Sequence, residues 1–386
     1  MVYVSMHFRG RYAARGLVLA GDPDEQKEGT IMSMTSRELV ISTINGIPTE
    51  RIPITPHWWG LYKFELALGI KDYSEEHKAW TLDAESLAKV DSAFYELFKP
   101  DIFHLTTAPS TIPFSEEKNR RTLDSLEKMR NSVSASDIDA YIGAIYQDED
   151  EIIQSGIYRH VAILREKYPN VFIAVNEGNP VCAILDPHGV IGFERGLIAL
   201  KENPGFMAEL TYKLYEAFIP RMKALKTSGA DGYIGSETYC SCDLISPETY
   251  KDIIYPAQKK LYTETKKTGL YPFVYYCGEI LPILDYICEL GADALLVEEA
   301  KKNFHLEISE IYKRIRGRMT LFGNLDSVDI LQKGTKEDVR KETIRQINVC
   351  GEGKFIMANG CPVSFSTPVE NVREMIETAK KIKFLN

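Results

Sequence analysis

Short apolar runs recur along the chain with longer helix-period segments between them. The runs are Ile52–Pro56, Asp101–Leu105, Val171–Val175, Gly232–Gly235, Pro272–Tyr276, Ala294–Val297, Met319–Phe322 and Phe355–Ala358. Most are continuous rather than alternating, the pattern of parallel strands covered on both faces. In the second half they lie about 20–40 residues apart, the spacing of strand-plus-helix units. The helical segments carry their own start signals. Ser246 followed by Pro247 opens a helix predicted to reach Lys267, and a second runs from Pro368 to Ile382. The pattern predicts an α/β protein, a (β/α)8 TIM barrel, with its functional mouth at the C-terminal ends of the strands.

Two stretches break the pattern. Residues 1–33 have early arginines, an acidic patch (Asp22, Asp24, Glu25) and no sustained period, so they read as an N-terminal extension. The barrel domain, 34–386, begins at Thr35-Ser36-Arg37-Glu38, a helix start with a capping hydroxyl, Glu38 in the first turn and apolar Leu39, Val40 and Ile44 behind it. From Thr106 to about Asp150 the chain is polar and charged, which reads as an insertion after strand two, over the mouth.

Composition narrows the function. A net charge of −9 leaves no basic surplus to neutralise phosphates, against a nucleic-acid binder. No apolar run reaches the ~18–20 residues that span a bilayer. Gly16–Gly21 is too short and poorly flanked for a signal peptide. Seven cysteines, an odd number in a long chain, point to a reducing cytoplasm rather than a disulfide framework.

The strand ends then supply candidate chemistry. Strand one ends in His57-Trp58-Trp59 with Tyr62 and Phe64 behind it. Strand two offers His104, and strand three Asn176 and Glu177. Strand four runs into Glu237 and Cys240-Ser241-Cys242, strand five into Tyr275 and Cys277, and strand six into Glu298-Glu299. Strand seven gives Asn324 and Asp326, and strand eight Cys361. Each has a plainer reading, since free cysteine is usually a small buried hydrophobe. That reading suits Cys182, Cys288 and Cys350, and a structural role suits His188 and His305. Cys277 and Cys361 stand apart because each follows a strand. Two thiolates with a carboxylate suit zinc. The rings of His57, Trp58, Trp59 and Tyr62 suit a flat apolar ligand, although core packing would use them too.

In order and spacing, several motifs resemble those of the uroporphyrinogen decarboxylase superfamily over residues 34–384. They are Thr35-Ser36-Arg37-Glu38, Asn45-Gly46, Arg51-Ile52-Pro53, Leu244-Ile245-Ser246-Pro247, Cys277-Gly278, Gly291-Ala292-Asp293-Ala294, Gly323-Asn324-Leu325-Asp326 and Thr367-Pro368-Val369-Glu370-Asn371-Val372. The superfamily contains porphyrinogen decarboxylases and corrinoid-dependent methyltransferases. The decarboxylases have an arginine-rich segment after the first strand, where this chain has His57-Trp58-Trp59-Gly60-Leu61-Tyr62. They also have a histidine six residues before the Thr-Pro pair, where this chain has Cys361. Both departures favour the methyltransferase branch. Its zinc enzymes carry His-x-Cys after strand five, a carboxylate after strand six and a cysteine after strand eight.

The resemblance implies zinc held by Cys277, Glu299 and Cys361, with Tyr275 in the place of the histidine. A phenol titrates near 10, so Tyr275 is a poor ligand at neutral pH. Glu237, Tyr275, Asn324 and Asp326 are the implied catalytic residues. His57, Trp58, Trp59, Tyr62 and Glu177 are the implied substrate-binding ones. The implied reaction moves a methyl group between a small substrate, such as a methoxylated aromatic, and the cobalt of a corrinoid. That methylcobalamin would sit on a separate corrinoid-binding protein, because the chain has no Asp-x-His-x-x-Gly signature. A homodimer is compatible with this. The alternatives are a decarboxylase using Glu237 or Asp326 as acid and base, a methylcobamide:thiol methyltransferase, and a barrel that only binds a ligand or partner.

Overall fold

The structure is a computed structural model that describes residues 18–19, 34–58, 60–111, 116–132, 134–187, 189–301, 304–351 and 353–384. Trp59, His188 and most of the 1–33 extension lie outside the described residues.

Seven parallel strands form one sheet. In spatial order they are Phe355–Ile356, Thr320–Phe322, Ala294–Val297, Tyr271–Tyr276, Gly232–Ser236, Phe172–Glu177 and Ile102–Thr106. The sheet curls on itself through residues 52–56. On one side Ile54 bridges Met357 in parallel, with Thr55 N–H donating to the Met357 carbonyl at 3.0 Å. On the other side Asp101 N–H donates to the Ile54 carbonyl at 2.8 Å. The fold is therefore α/β, a parallel sheet closed into a TIM-like barrel. The predicted first strand shrinks to a single bridge. Pro53 and Pro56 flank it, and a proline has no N–H to give to a ladder.

Register decides which side chains face inward. Phe273 pairs with Ala294 and Tyr275 with Leu296. Ile102, Phe172, Ala174, Ile234, Phe273, Tyr275, Leu296 and Phe322 pack together inside the barrel. Their alternates Phe103, Ile173, Tyr233, Val274, Tyr276 and Leu295 pack in the larger cluster that contains the outer helices. The helix Ser36–Ile44 lies across the N-terminal ends of the strands and adds Val40 and Ile44 to the inner cluster. It starts as the sequence predicts: Glu38 N–H donates to the Thr35 hydroxyl and Thr35 N–H to the Glu38 carboxylate. Its Ser36 hydroxyl and Arg37 are fixed by Asp101 and Asp231, at the starts of strands two and four.

Between strands two and three the polar stretch is helical: Glu116–Ser132, Ala135–Ile145, Glu149–Gln154 and Arg159–Lys167. The helix opened by Ser246 contains one wide turn, Tyr250–Ile254, just before Pro256, whose missing N–H breaks the regular ladder. Of the extension, Val18–Leu19 pairs antiparallel with Ile382–Lys383 of the same chain. No helix among the described residues is long and apolar enough to cross a membrane.

Candidate active site

Inward parity carries past the strand ends. Extending the pairing of Tyr275 with Leu296 by two residues sets Cys277 beside Glu298. Both line a cleft of about 420 Å³ at the C-terminal mouth, together with Tyr275 and Cys361. The Cys361 thiol donates to Glu298 Oε1 at 3.4 Å. Tyr62, Tyr73, Trp80 and Phe365 supply apolar wall to the same cleft. No arginine is among the described residues that line it.

The turn that carries Cys361 is tightly held. The Ser327 hydroxyl donates to the Cys361 carbonyl at 2.7 Å, and Asn359 Nδ2 donates to the Ser327 oxygen at 3.0 Å. Asn359 Oδ1 in turn accepts from His57 N–H at 2.8 Å. His57 Nδ1 lies 3.1 Å from the Gly360 carbonyl, which can only accept, so that nitrogen carries the proton. The ring stacks on His104 at 4.8 Å and meets Tyr275 edge-on at 4.7 Å. His57, His104 and Tyr275 thus form one buried layer. Burial, then the neighbouring His57, holds His104 well below the usual histidine range. Burial, then the Cys277 thiol, pushes the Tyr275 phenol well up. An uncharged imidazole and a protonated phenol follow at neutral pH.

Other predicted residues face elsewhere. Trp58 packs against Phe94, ring centroids 3.9 Å apart, and against Phe98 in the outer core, so it does not line the cleft. Tyr62 does line it, with its hydroxyl donating to the Thr367 carbonyl at 3.0 Å. Glu237 has outward parity. Its two oxygens accept from Tyr215 and Tyr262, each at 3.0 Å, behind strand four, so it cannot act as acid, base or ligand beside Cys277. Burial pushes its carboxyl up. Asn324 also points away, its amide donating to the Leu306 carbonyl at 2.7 Å. Asp326 caps the following turn by accepting from Val328 N–H and Asp329 N–H. Glu299 accepts from Ser327 N–H at 3.1 Å and is pushed up to about 7, chiefly by burial. Glu298 lines the cleft, while Glu299 lies behind it against Gly360 and reaches the side chain of Cys361 on the same turn. Glu177 faces outward onto Arg221, away from the cleft. His104 and Glu298 were visible at the strand ends, and register is the signal that selects them.

Two thiols and a carboxylate are the donor types that zinc takes. Cys277, Glu298 and Cys361 present them on one cleft and so fit a zinc ion by chemistry. As they stand, no three His, Cys, Asp or Glu side chains among the described residues are gathered into a metal-holding group.

The sequence pattern of the uroporphyrinogen decarboxylase (URO-D) family matches residues 35–382. The chain belongs to that family. It is 29% identical to the methylated-thiol–coenzyme M methyltransferase of Methanosarcina mazei over 141 residues, 36% of this chain and 35% of that one. It is 28% identical to the methylcobamide:CoM methyltransferase MtbA of Methanosarcina acetivorans over 162 residues, 42% of this chain and 45% of that one. The chain thus spans less than half the length of these two relatives. A longer match, 25% over 349 residues, covers 89% of this chain and 96% of the methylcobamide:CoM methyltransferase MtaA of Methanosarcina barkeri. A solved methyltransferase from Methanosarcina mazei shares the fold, with a TM-score of 0.67 at 18% identity over 90% of this chain and 99% of that one.

Proposed function

We propose that residues 34–386 form a cytoplasmic methyltransferase domain that moves a methyl group between a small methyl donor and the cobalt of a corrinoid held by a separate protein. The observation that carries this reading is the convergence of Cys277, Glu298 and Cys361 on one cleft whose described lining includes no arginine. The full-length similarity to a methylcobamide:CoM methyltransferase supports it. Cys277, Glu298 and Cys361 would hold zinc. When bound, zinc supplies a Lewis acid for an ether oxygen or a thiol sulfur.

The rest is the work of the chain's own groups. Tyr73, Trp80 and Phe365 bury a flat donor and keep water from it. The Tyr275 phenol, protonated at neutral pH, can donate a hydrogen bond to an oxygen that gains charge as the methyl group leaves. His104, kept uncharged by burial, stacks on His57, whose ring meets Tyr275 edge-on and fixes it. We favour a methoxylated aromatic as donor because aromatic side chains dominate the apolar wall. A second reading, transfer to a thiol, is supported by the same relative, whose name specifies CoM.

The test is elemental analysis of the purified chain, followed by incubation with reduced cobalamin and a panel of methoxyarenes and thiols. Stoichiometric zinc and methylcobalamin formation from a methoxyarene are expected. A Cys277→Ser, Cys361→Ser variant with unchanged metal content and unchanged transfer would overturn the reading.

A further inference from the structure

The charged side chains that line the thiol cleft are both acids, Glu298 and Glu76, and no lysine or arginine among the described residues lines it. The two acids lie at different depths. Glu298 is buried with Tyr275 and Cys361 and belongs to the floor. Glu76 is exposed with Tyr73 and Trp80 and belongs to the rim.

The rim favours one sign of charge. Glu75 is paired with Lys78 at 2.6 Å, but the Glu76 carboxylate has no ion pair among the described residues. Its neighbours are rings. Tyr73 meets Phe365 edge-on at 5.1 Å, and Trp80 meets Phe64 edge-on at 5.9 Å. The loops after strands one and eight that carry these rings are tied together, since the Glu65 carboxylate accepts from Ser366 N–H at 2.9 Å. Ring faces attract a cation through their quadrupole, and a carboxylate beside them adds to the attraction. An anion meets repulsion from both acids. Zinc on the floor would not reverse the sign, because two thiolates and a carboxylate more than cancel its charge.

We propose that the cleft selects its methyl donor by charge. The donor is a methoxyarene whose methyl group lies at the thiol floor and whose far end carries an ammonium arm, held at the rim by Glu76, Tyr73 and Trp80. A donor with a carboxylate in place of the ammonium is rejected. The role of the bound molecule rests on the methyl-transfer reading above; the sign of its charge is what the rim adds. The cleft, about 420 Å³, has the size of a small-molecule site.

The test is calorimetric titration of the full chain with three arenes of similar shape: 4-methoxybenzylamine, a cation at neutral pH, 4-methoxybenzyl alcohol and 4-methoxybenzoate. In low salt the ammonium compound should bind at least about fivefold more tightly than the alcohol, and the benzoate at least about fivefold more weakly. Raising the salt to about 0.5 M should shrink this spread. Glu76→Gln, a change at an exposed position, should cut the ammonium-to-alcohol preference about threefold and leave the affinity for the alcohol unchanged. Equal affinity for the three arenes, preference for the benzoate, or a preference that survives Glu76→Gln in full would overturn the proposal. Methylcobalamin formation from each arene and reduced cobalamin is read alongside. If the arenes bind alike and one of them yields methylcobalamin, the charge selection alone falls. If the ammonium compound is preferred and none yields methylcobalamin, the methyl-transfer reading falls, and the assignment of the bound arene as donor falls with it.

Discussion

Neighbouring acids at the same end of the barrel serve opposite purposes. Glu298 points inward and receives the Cys361 thiol on the cleft wall. Glu299, the next residue, is absent from the cleft lining, tied to Ser327 N–H and packed beneath the turn of Gly360 and Cys361. The same contrast separates Ser236 from Glu237 and Asn176 from Glu177. The inward pair are joined to each other, Ser236 hydroxyl to Asn176 at 2.8 Å, while the outward acids are held by tyrosines and by an arginine from the helices. Residue type alone does not assign a role at a barrel mouth. One step of alternation turns a candidate ligand into a clasp between sheet and helix.

The largest effect that tests this contrast is on an outward acid. Glu237→Ala leaves two buried tyrosine hydroxyls without their acceptor. It should lower unfolding free energy by about 3–4 kcal/mol in urea melts, while transfer per folded molecule is retained. Loss of transfer without loss of stability would break the comparison. On the inward side, Cys277→Ser with Cys361→Ser should cut zinc retention and methyl transfer on the order of a hundredfold or more. Within the adjacent pair, Glu298→Gln should weaken zinc retention about tenfold and Glu299→Gln less than about twofold. A reversal, read by metal analysis after dialysis against a chelator, would overturn the contrast between the two acids.

A fourth prediction concerns protons. His104 faces inward and His160 lies behind the strands, yet burial depresses both, His160 to about 3. Their folded values lie below the unfolded value of about 6.5, so the unfolded chain binds more protons as pH falls. Stability is therefore fully present above about 6.5 and declines below it, by about 1.4 kcal/mol per pH unit for each neutral histidine, with the His160 contribution levelling near 3. Urea melts at pH 7.5, 6 and 5 measure it, and His160→Asn should flatten the decline by one proton. The smallest effect is at Tyr62. Tyr62→Phe removes one hydrogen bond to the Thr367 carbonyl and should cost about 1 kcal/mol of stability, while changing the apparent KM for donor less than about threefold.

Much of the fold was legible in the sequence because buried parallel strands leave continuous apolar runs, and seven of the eight appear as strands within a few residues. The eighth, around Ile54, is a bridge because prolines limit its ladder. Cys277 and Cys361 were legible as strand-end thiols that reach one cleft. Glu298 was harder to choose over Glu299, because the choice depends on pairing with the neighbouring strand, and pairing is a tertiary fact. Trp58 looked like a substrate wall because aromatic rings serve cores and pockets equally well. Glu237 looked catalytic because its partners, Tyr215 and Tyr262, lie on helices 22 and 25 residues away in opposite directions along the chain.

The bridge between Ile54 and Met357 also bears on how the chain is made. The two residues meet across nearly the whole polypeptide, so during synthesis the barrel cannot close until its eighth strand has left the ribosome. Until then strand two has its full partner, strand three, on one side, but on the other only the proline-flanked segment around Ile54. Asp101 fastens that segment early: its carboxylate accepts from Ile54 N–H and from Arg51, neighbours within a short stretch of chain. An aspartate beside the seam thus holds the first staves of the barrel in place while the last are still being made.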